Sequence, residues 1–166
     1  WIGLDSPYMF AAHKAAGCMT SIYRQIGIGC ERLFRQIIFD TTGYEDYAST
    51  QWSYKSKTQA GKEKVLALDG RLEIADIKNN DVKKRVRKWM SKSCEQLGID
   101  DKGFKGVVFE VRQGYKSKDS KRQNGDIDNA TVAYAYHYIP VFSIFSSQID
   151  NDIVLRYKNS RCCVLV

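Results

Sequence analysis

Apolar positions along the chain change period several times, and each change marks an element. From about Thr20 to Phe39, Ile22, Ile26, Cys30, Leu33 and Ile37 recur at three- and four-residue steps, and Thr42-Gly43 follows as a stop. This pattern predicts a helix. Gly27 and Gly29 inside it each cost roughly 1 kcal/mol relative to Ala, so a close neighbour is expected there. "TQWSYKSKT" and "KVLALDGRLEIADI" then predict strands or a strand pair, with Asp69-Gly70 either a tight hairpin turn or the end of a buried strand. From Asn80 to Leu97 a second helix is expected, capped by Asn80 or Asp81 and stopped by Gly98. Val82, Val86, Trp89, Met90 and Leu97 lie on one side and six Lys or Arg residues on the other.

The strand "KGVVFEV" follows, then a helix beginning near Asp126 with "ATVAYAYHY" and ended by Pro140. "VFSIFS" is a buried strand, and "IVLRY" and "CCVLV" add two more. This order predicts an α/β (α+β) fold with a mixed central β-sheet flanked by helices, in one domain over residues 1–166. The chain starts at Trp1 rather than Met and stops inside "RCCVLV", which leaves room for a longer polypeptide.

Composition narrows the function classes. At 43% hydrophobic and 27% charged residues the chain is an ordinary globular one, and 26 Lys+Arg against 19 Asp+Glu give a net charge of +7, which favours a polyanionic partner. The five cysteines form no CxxC pair and are expected to be reduced core thiols in a bacterial or archaeal cytoplasm. No apolar run approaches the roughly 18 residues of a membrane span, and the first residues lack the pattern of a signal peptide. His13 and His137 are the only histidines, which argues against histidine-metal nucleases and against Ser-His-Asp or Cys-His hydrolases.

The candidate chemistry lies in "VVFEVRQGYKSKDSKRQNGDIDNA", residues 107–130. Side chains alternate along a strand, so Glu110 and Arg112 share one face and Phe109 and Val111 the other. A carboxylate at the end of a core strand is costly to desolvate. It pairs either with a divalent cation or with Arg112 or a lysine in an ion pair. Asp69, at the end of "VLAL", is a second acid where an apolar strand opens to solvent. Two such carboxylates hold Mg²⁺ with waters left in place, and a neighbouring cation stabilises developing phosphorane charge.

Asp69, the element Glu110-Val111-Arg112 and a preceding helix carrying Glu31 resemble the PD-(D/E)XK nuclease superfamily, and within it the type II restriction endonucleases, over about Ser21 to Ser146. The resemblance implies a restriction-endonuclease-like fold and a Mg²⁺-dependent endonuclease that hydrolyses double-stranded DNA at a short specific sequence as a homodimer. It implies Asp69 and Glu110 as metal ligands, with Glu31 completing the acidic site or pairing with Arg35. The sequence departs from the family pattern at Arg112, where a lysine is usual. Arginine does not give up a proton and acts by charge and hydrogen bonding, so Gln113, Lys116 or Lys121 is left to supply the missing function. If Asp69-Gly70 is a hairpin turn, Glu73 or Asp76 takes the place of Asp69. Asp119-Ser120-Lys121 also matches the acid-x-lysine element but lies in a polar segment and ranks below Glu110.

The run "RQGYKSKDSKRQNGD" has two readings of its own. As a DNA loop it offers Tyr115 to stack or wedge, Lys116, Lys118, Lys121 and Arg122 for phosphates, and Gln113, Gln123 and Asn124 for adenine. As a solvated loop it offers nothing. The alternatives to a restriction enzyme are a non-catalytic nucleic-acid-binding module and a repair or RNA nuclease of the same fold.

Overall fold

The computed structural model describes residues 6–57, 63–114, 120–147 and 149–166. Helix α1, Pro7–Thr42, is far longer than the periodic window of the sequence. Ser6 caps it by accepting the Met9 N–H at 3.2 Å, proline occupies its first turn, and Gly43 closes it at φ 68°. A short 3₁₀ turn, Tyr47–Thr50, leads into strand β1, Trp52–Lys57, which pairs antiparallel with β2, Glu63–Leu68.

Strand β3, Gly70–Glu73, does not pair with β2. It opens a separate four-stranded sheet of order β3-β4-β5-β6, built with β4 (Gly106–Arg112), β5 (Tyr138–Ile144) and β6 (Cys163–Leu165). Asp69-Gly70 is therefore no hairpin: Asp69 is the single residue at which the chain leaves one sheet and enters another. Of the expected strand "RLEIADI", Arg71–Glu73 belongs to β3, whereas Ile74–Asp76 is a turn. β3 runs antiparallel to β4, whereas β4, β5 and β6 are parallel, so the sheet is mixed as expected.

Helix α2, Asn80–Leu97, keeps the predicted limits. Its cap is Asn79 rather than Asn80 or Asp81, because the Asn79 side chain accepts from Asp81 N–H and Val82 N–H at 3.1 and 3.2 Å. Helix α3, Ser120–Ala135, starts six residues before the expected Asp126 and stops before Pro140. His137, at φ 65°, ends that segment, and Pro140 lies inside β5. The strand tolerates proline because β6 begins only opposite Val141, leaving a neighbour on one side at Pro140.

The segment "IVLRY" is not a strand but part of helix α4, Asn151–Asn159. Asp150 caps it by accepting from Asp152 N–H, and Ile153 and Tyr157, four residues apart, form its buried face. Five apolar-rich residues fit either period, and the cap decides between them.

The two faces of the larger sheet carry different packing. Val107, Phe109, Ile139 and Val141 meet Ile38 of α1 and Met90 and Cys94 of α2. Val108 faces Trp52, Tyr54 and Leu68 of the β1–β2 pair and Ala133 of α3, while Phe142 packs on Ala130, Ile153 and Tyr157. The five cysteines are free, but they are not all core thiols: Cys94 and Cys162 are buried, whereas Cys18 is exposed on α1 ahead of its contact with the sheet. No helix among the described residues is long and apolar enough to cross a membrane.

Candidate acidic and arginine site

The junction between the two sheets sets up the site. β3 pairs Gly70 with Phe109, so extending the register by one residue brings Asp69 opposite Glu110. Asp69 Oδ2 accepts the Val111 N–H at 2.8 Å, occupying an amide that β3 is too short to reach with a backbone carbonyl. Gly70 fits closely at the junction, since a Cβ there would stand 3.2 Å from the Phe34 ring of α1. The alternatives Glu73 and Asp76 lie at the other end of β3, where Glu73 pairs with Gly106 and both acids meet Arg71, at 3.3 and 3.7 Å.

Glu110 and Arg112 share a face of β4, as alternation requires, and form an ion pair with Arg112 Nη1 2.6 Å from Glu110 Oε1. Nη2 of the same guanidinium lies 2.5 Å from Oδ1 of Asp126 on α3. Asp126 is buried, and its Oδ2 accepts the Tyr157 hydroxyl of α4 at 2.7 Å, with the Tyr157 ring stacked on Phe142 of β5. One guanidinium is thus shared by two carboxylates, the buried Asp126 and the 12% exposed Glu110, with Asp69 as a third close by.

Burial pushes the Glu110 carboxyl from its ordinary 4.5 to about 8; Arg112 opposes this, and Asp69 and Asp126 add to it. A 2.6 Å ion pair on its own would hold Glu110 well below that value, but Arg112 also serves Asp126, and we take the upward shift as the governing effect. Burial likewise raises Asp69, against the pull of the Val111 N–H, Arg112 and Arg35. Glu31 of α1 is raised by burial and by Asp69, and Arg35 and Arg112 lower it.

Beside these acids a cleft of about 380 Å³ opens between α1, the end of β4 and α3, lined by Arg24, Glu31, Arg112, Gln113 and Arg122 among others. Of the sequence-derived candidates, Glu31, Arg112, Gln113 and Arg122 therefore converge on one space. Gln113 also ties strand to helix: its Nε2 donates to the Tyr23 carbonyl at 2.9 Å and sits 3.1 Å from where a Cβ on Gly27 would be. Gly27 thus has the close neighbour expected of it, whereas Gly29 does not: a Cβ added there would meet nothing within 4 Å.

The expected DNA loop is only partly described. Tyr115, Lys116, Lys118 and Asp119 lie outside the described residues. Lys121, Arg122, Gln123 and Asn124 are not in a loop but in the first turns of α3. Gln123 is buried, and its Oε1 and the Asn124 Oδ1 accept from Arg156 Nη1 and Nη2 of α4 at 2.9 and 2.5 Å. Both side chains thus tie α3 to α4 instead of offering themselves to a base edge.

Sequence reasoning missed Asp126, Tyr157, Arg24 and Arg156. The signal for Asp126 was available: Asp126, Ala130 and Ala133 recur at four- and three-residue steps on the buried face of α3, and a carboxylate on such a face requires a donor or a cation.

Among the described residues no cluster of three or more His, Cys, Asp or Glu side chains is arranged to hold a metal ion. A hydrated Mg²⁺ asks for less, one or two carboxylates with water completing the octahedron. Asp69 and Glu110 fit that demand, because among the described residues the bonds above leave Asp69 Oδ1 and Glu110 Oε2 unused, and both carboxyls carry an electrostatic burden that a cation relieves. Compared with known proteins, the chain is matched by no family model, no curated protein and no solved structure.

Proposed function

We propose that this protein is a Mg²⁺-dependent endonuclease of double-stranded DNA, of the type II restriction kind and acting as a homodimer. The observation that carries the reading is the juxtaposition of Asp69 and Glu110 at the junction of two sheets, beside a cleft bearing Arg24, Arg112 and Arg122. Asp69 and Glu110 would hold the Mg²⁺, which when bound supplies an activated water and neutralises charge on the scissile phosphate. Arg112, pinned between Glu110 and Asp126, acts as a fixed positive charge and takes no part in proton transfer. Arg24 and Arg122 meet backbone phosphates entering the cleft, and Lys121 at the start of α3 adds charge nearby. A second reading, a non-catalytic DNA-binding module, draws on the 2.6 Å Glu110–Arg112 ion pair, in which the carboxylate has a structural partner without metal.

The deciding experiment incubates plasmid and long linear DNA with the protein in Mg²⁺ and in EDTA. Cleavage with Mg²⁺ alone supports the nuclease, and discrete linear fragments support a site-specific one. Glu110→Ala should abolish cleavage while leaving gel-shift affinity intact or tighter, since a negative charge has left the DNA surface. A folded Glu110→Ala protein that cuts at the wild-type rate removes the proposed centre. DNA binding without cleavage by the wild type favours the binding module.

A further inference from the structure

Helix α1 buries only Ile38 and Thr42 of its 36 residues, although its outer side is apolar. Tyr8, Met19, Ile22, Ile26, Leu33 and Ile37 are each at least half exposed, Tyr8 at 87%. At 100° per residue these six fall within a sector of about 60° that runs roughly 44 Å along the helix. Exposed Ala12, Ala15 and Gly29 complete a seam with alternating steps of three and four residues from Tyr8 to Leu33, the spacing of a coiled-coil interface. The residues that line the arginine cleft, Arg24, Gly27 and Glu31, lie outside this sector, so covering the seam leaves the cleft open.

We infer that the seam is the surface on which two copies of this chain pair, α1 against α1 in antiparallel order about a two-fold axis near Ile22-Tyr23. The exposed apolar area is roughly 600 Å² per copy, hence about 1,200 Å² in the pair, the lower end of what a specific interface buries. The direction follows from side-chain volume. Antiparallel pairing about that axis sets Ala12 opposite Leu33, Met19 opposite Ile26 and Tyr8 opposite Ile37, with Ala15 level with Cys30, so the Ala12 layer sets small against large. Parallel pairing would stack Ala12, Ala15 and Gly29 each on itself, leaving voids in three layers. It would also crowd the two sheets together, since both pack on the C-terminal half of α1.

Antiparallel pairing has a second consequence. Ile37 also lines an apolar cleft of about 410 Å³ between α1 and α2, with Phe34, Leu72, Val86 and Trp89. The pairing brings Tyr8 of the partner subunit to the rim of that cleft, where an aromatic ring has apolar surface to cover. At Gly17 and Gly29 an added Cβ would meet nothing within 4 Å, so the helix is open at both positions in a single copy.

The test is sedimentation of the DNA-free protein at tens of micromolar, a readout that does not depend on nuclease activity. Wild type should be dimeric, and Ile22→Glu with Ile26→Glu should shift it to monomer while near-ultraviolet circular dichroism of the sheet domain is kept. Val65→Glu, at an exposed apolar position on β2, should leave the dimer unchanged. In a Cys18→Ser background, Ala15→Cys should be joined by a short bis-maleimide to Cys30 of the partner subunit, as mapped by mass spectrometry. A monomeric wild type, a dimer that survives both glutamates, or a cross-link from position 15 to itself would each overturn the inference.

Discussion

Replacing Arg112 by Met tests the electrostatic centre directly, because methionine keeps much of the apolar stem and removes the guanidinium. Arg112 is 14% exposed and sits between Glu110 at 12% and Asp126 at 4%, so solvent screens none of the three well. Removing one partner of a buried ion pair costs about 3–5 kcal/mol, since the charge left behind stays in the protein. Asp126 keeps the Tyr157 hydroxyl, which places the expectation toward the lower end of that range. For a chain of this size about 3 kcal/mol corresponds to a fall in Tm of roughly 10 °C.

The pH dependence follows from Glu110. Arg112 lowers its carboxyl, so the variant holds that proton to higher pH than the wild type. Where Glu110 is protonated in both proteins the loss of its counter-charge matters little, and where the wild type ionises, near pH 8, the variant incurs the full cost. The stability gap should therefore stay nearly constant from about pH 5.5 to about 7.5 and widen as pH rises through about 8 to about 9.5. Urea melts of both proteins in EDTA across that range measure it. A gap below about 1 kcal/mol at the alkaline end, or one that does not change with pH, would refute the shared-guanidinium argument.

Two further perturbations probe neighbouring parts of the structure. In EDTA, Glu110 with its folded value raised from 4.5 to about 8 gives a stabilising contribution that is complete below 4.5 and lost as pH rises through about 8, so Glu110→Gln should flatten the decline of Tm with pH across that window; an unchanged slope would assign the decline elsewhere. Gly106→Ala should cost more than about 3 kcal/mol or prevent soluble expression, because the added Cβ would stand 2.0 Å from the Leu72 carbonyl oxygen; a Tm within about 2 °C of wild type would contradict the β3–β4 register.

Much of the fold was legible in local pattern. The limits of α2 follow from an amphipathic period bounded by polar caps and Gly98, and strands β4 and β5 from short apolar runs that had to be buried on both faces. Alternation along β4 placed Glu110 and Arg112 on one face, a relation that depends only on the two-residue period of a strand. Other features needed information from distant parts of the chain. "IVLRY" suited helix and strand equally until the Asp150 cap and the contacts of Tyr157 with Phe142 and Asp126 were made. Asp69 was an acid at the end of an apolar run, but whether it turned a hairpin or joined two sheets depended on β2 pairing back onto β1 while β3 paired with β4, a strand remote in sequence. Arg112 could be read as the partner of Glu110 two residues away, whereas its second partner, Asp126, is brought to it only when α3 packs back across the sheet. Sequence by itself determined which side chains share a face, because that follows from backbone geometry within one element. Tertiary structure decided which faces meet, and with them the burial that raises Glu110 and the sharing of Arg112 among several acids that opposes it only in part, because desolvation and charge interactions arise between segments far apart in the chain.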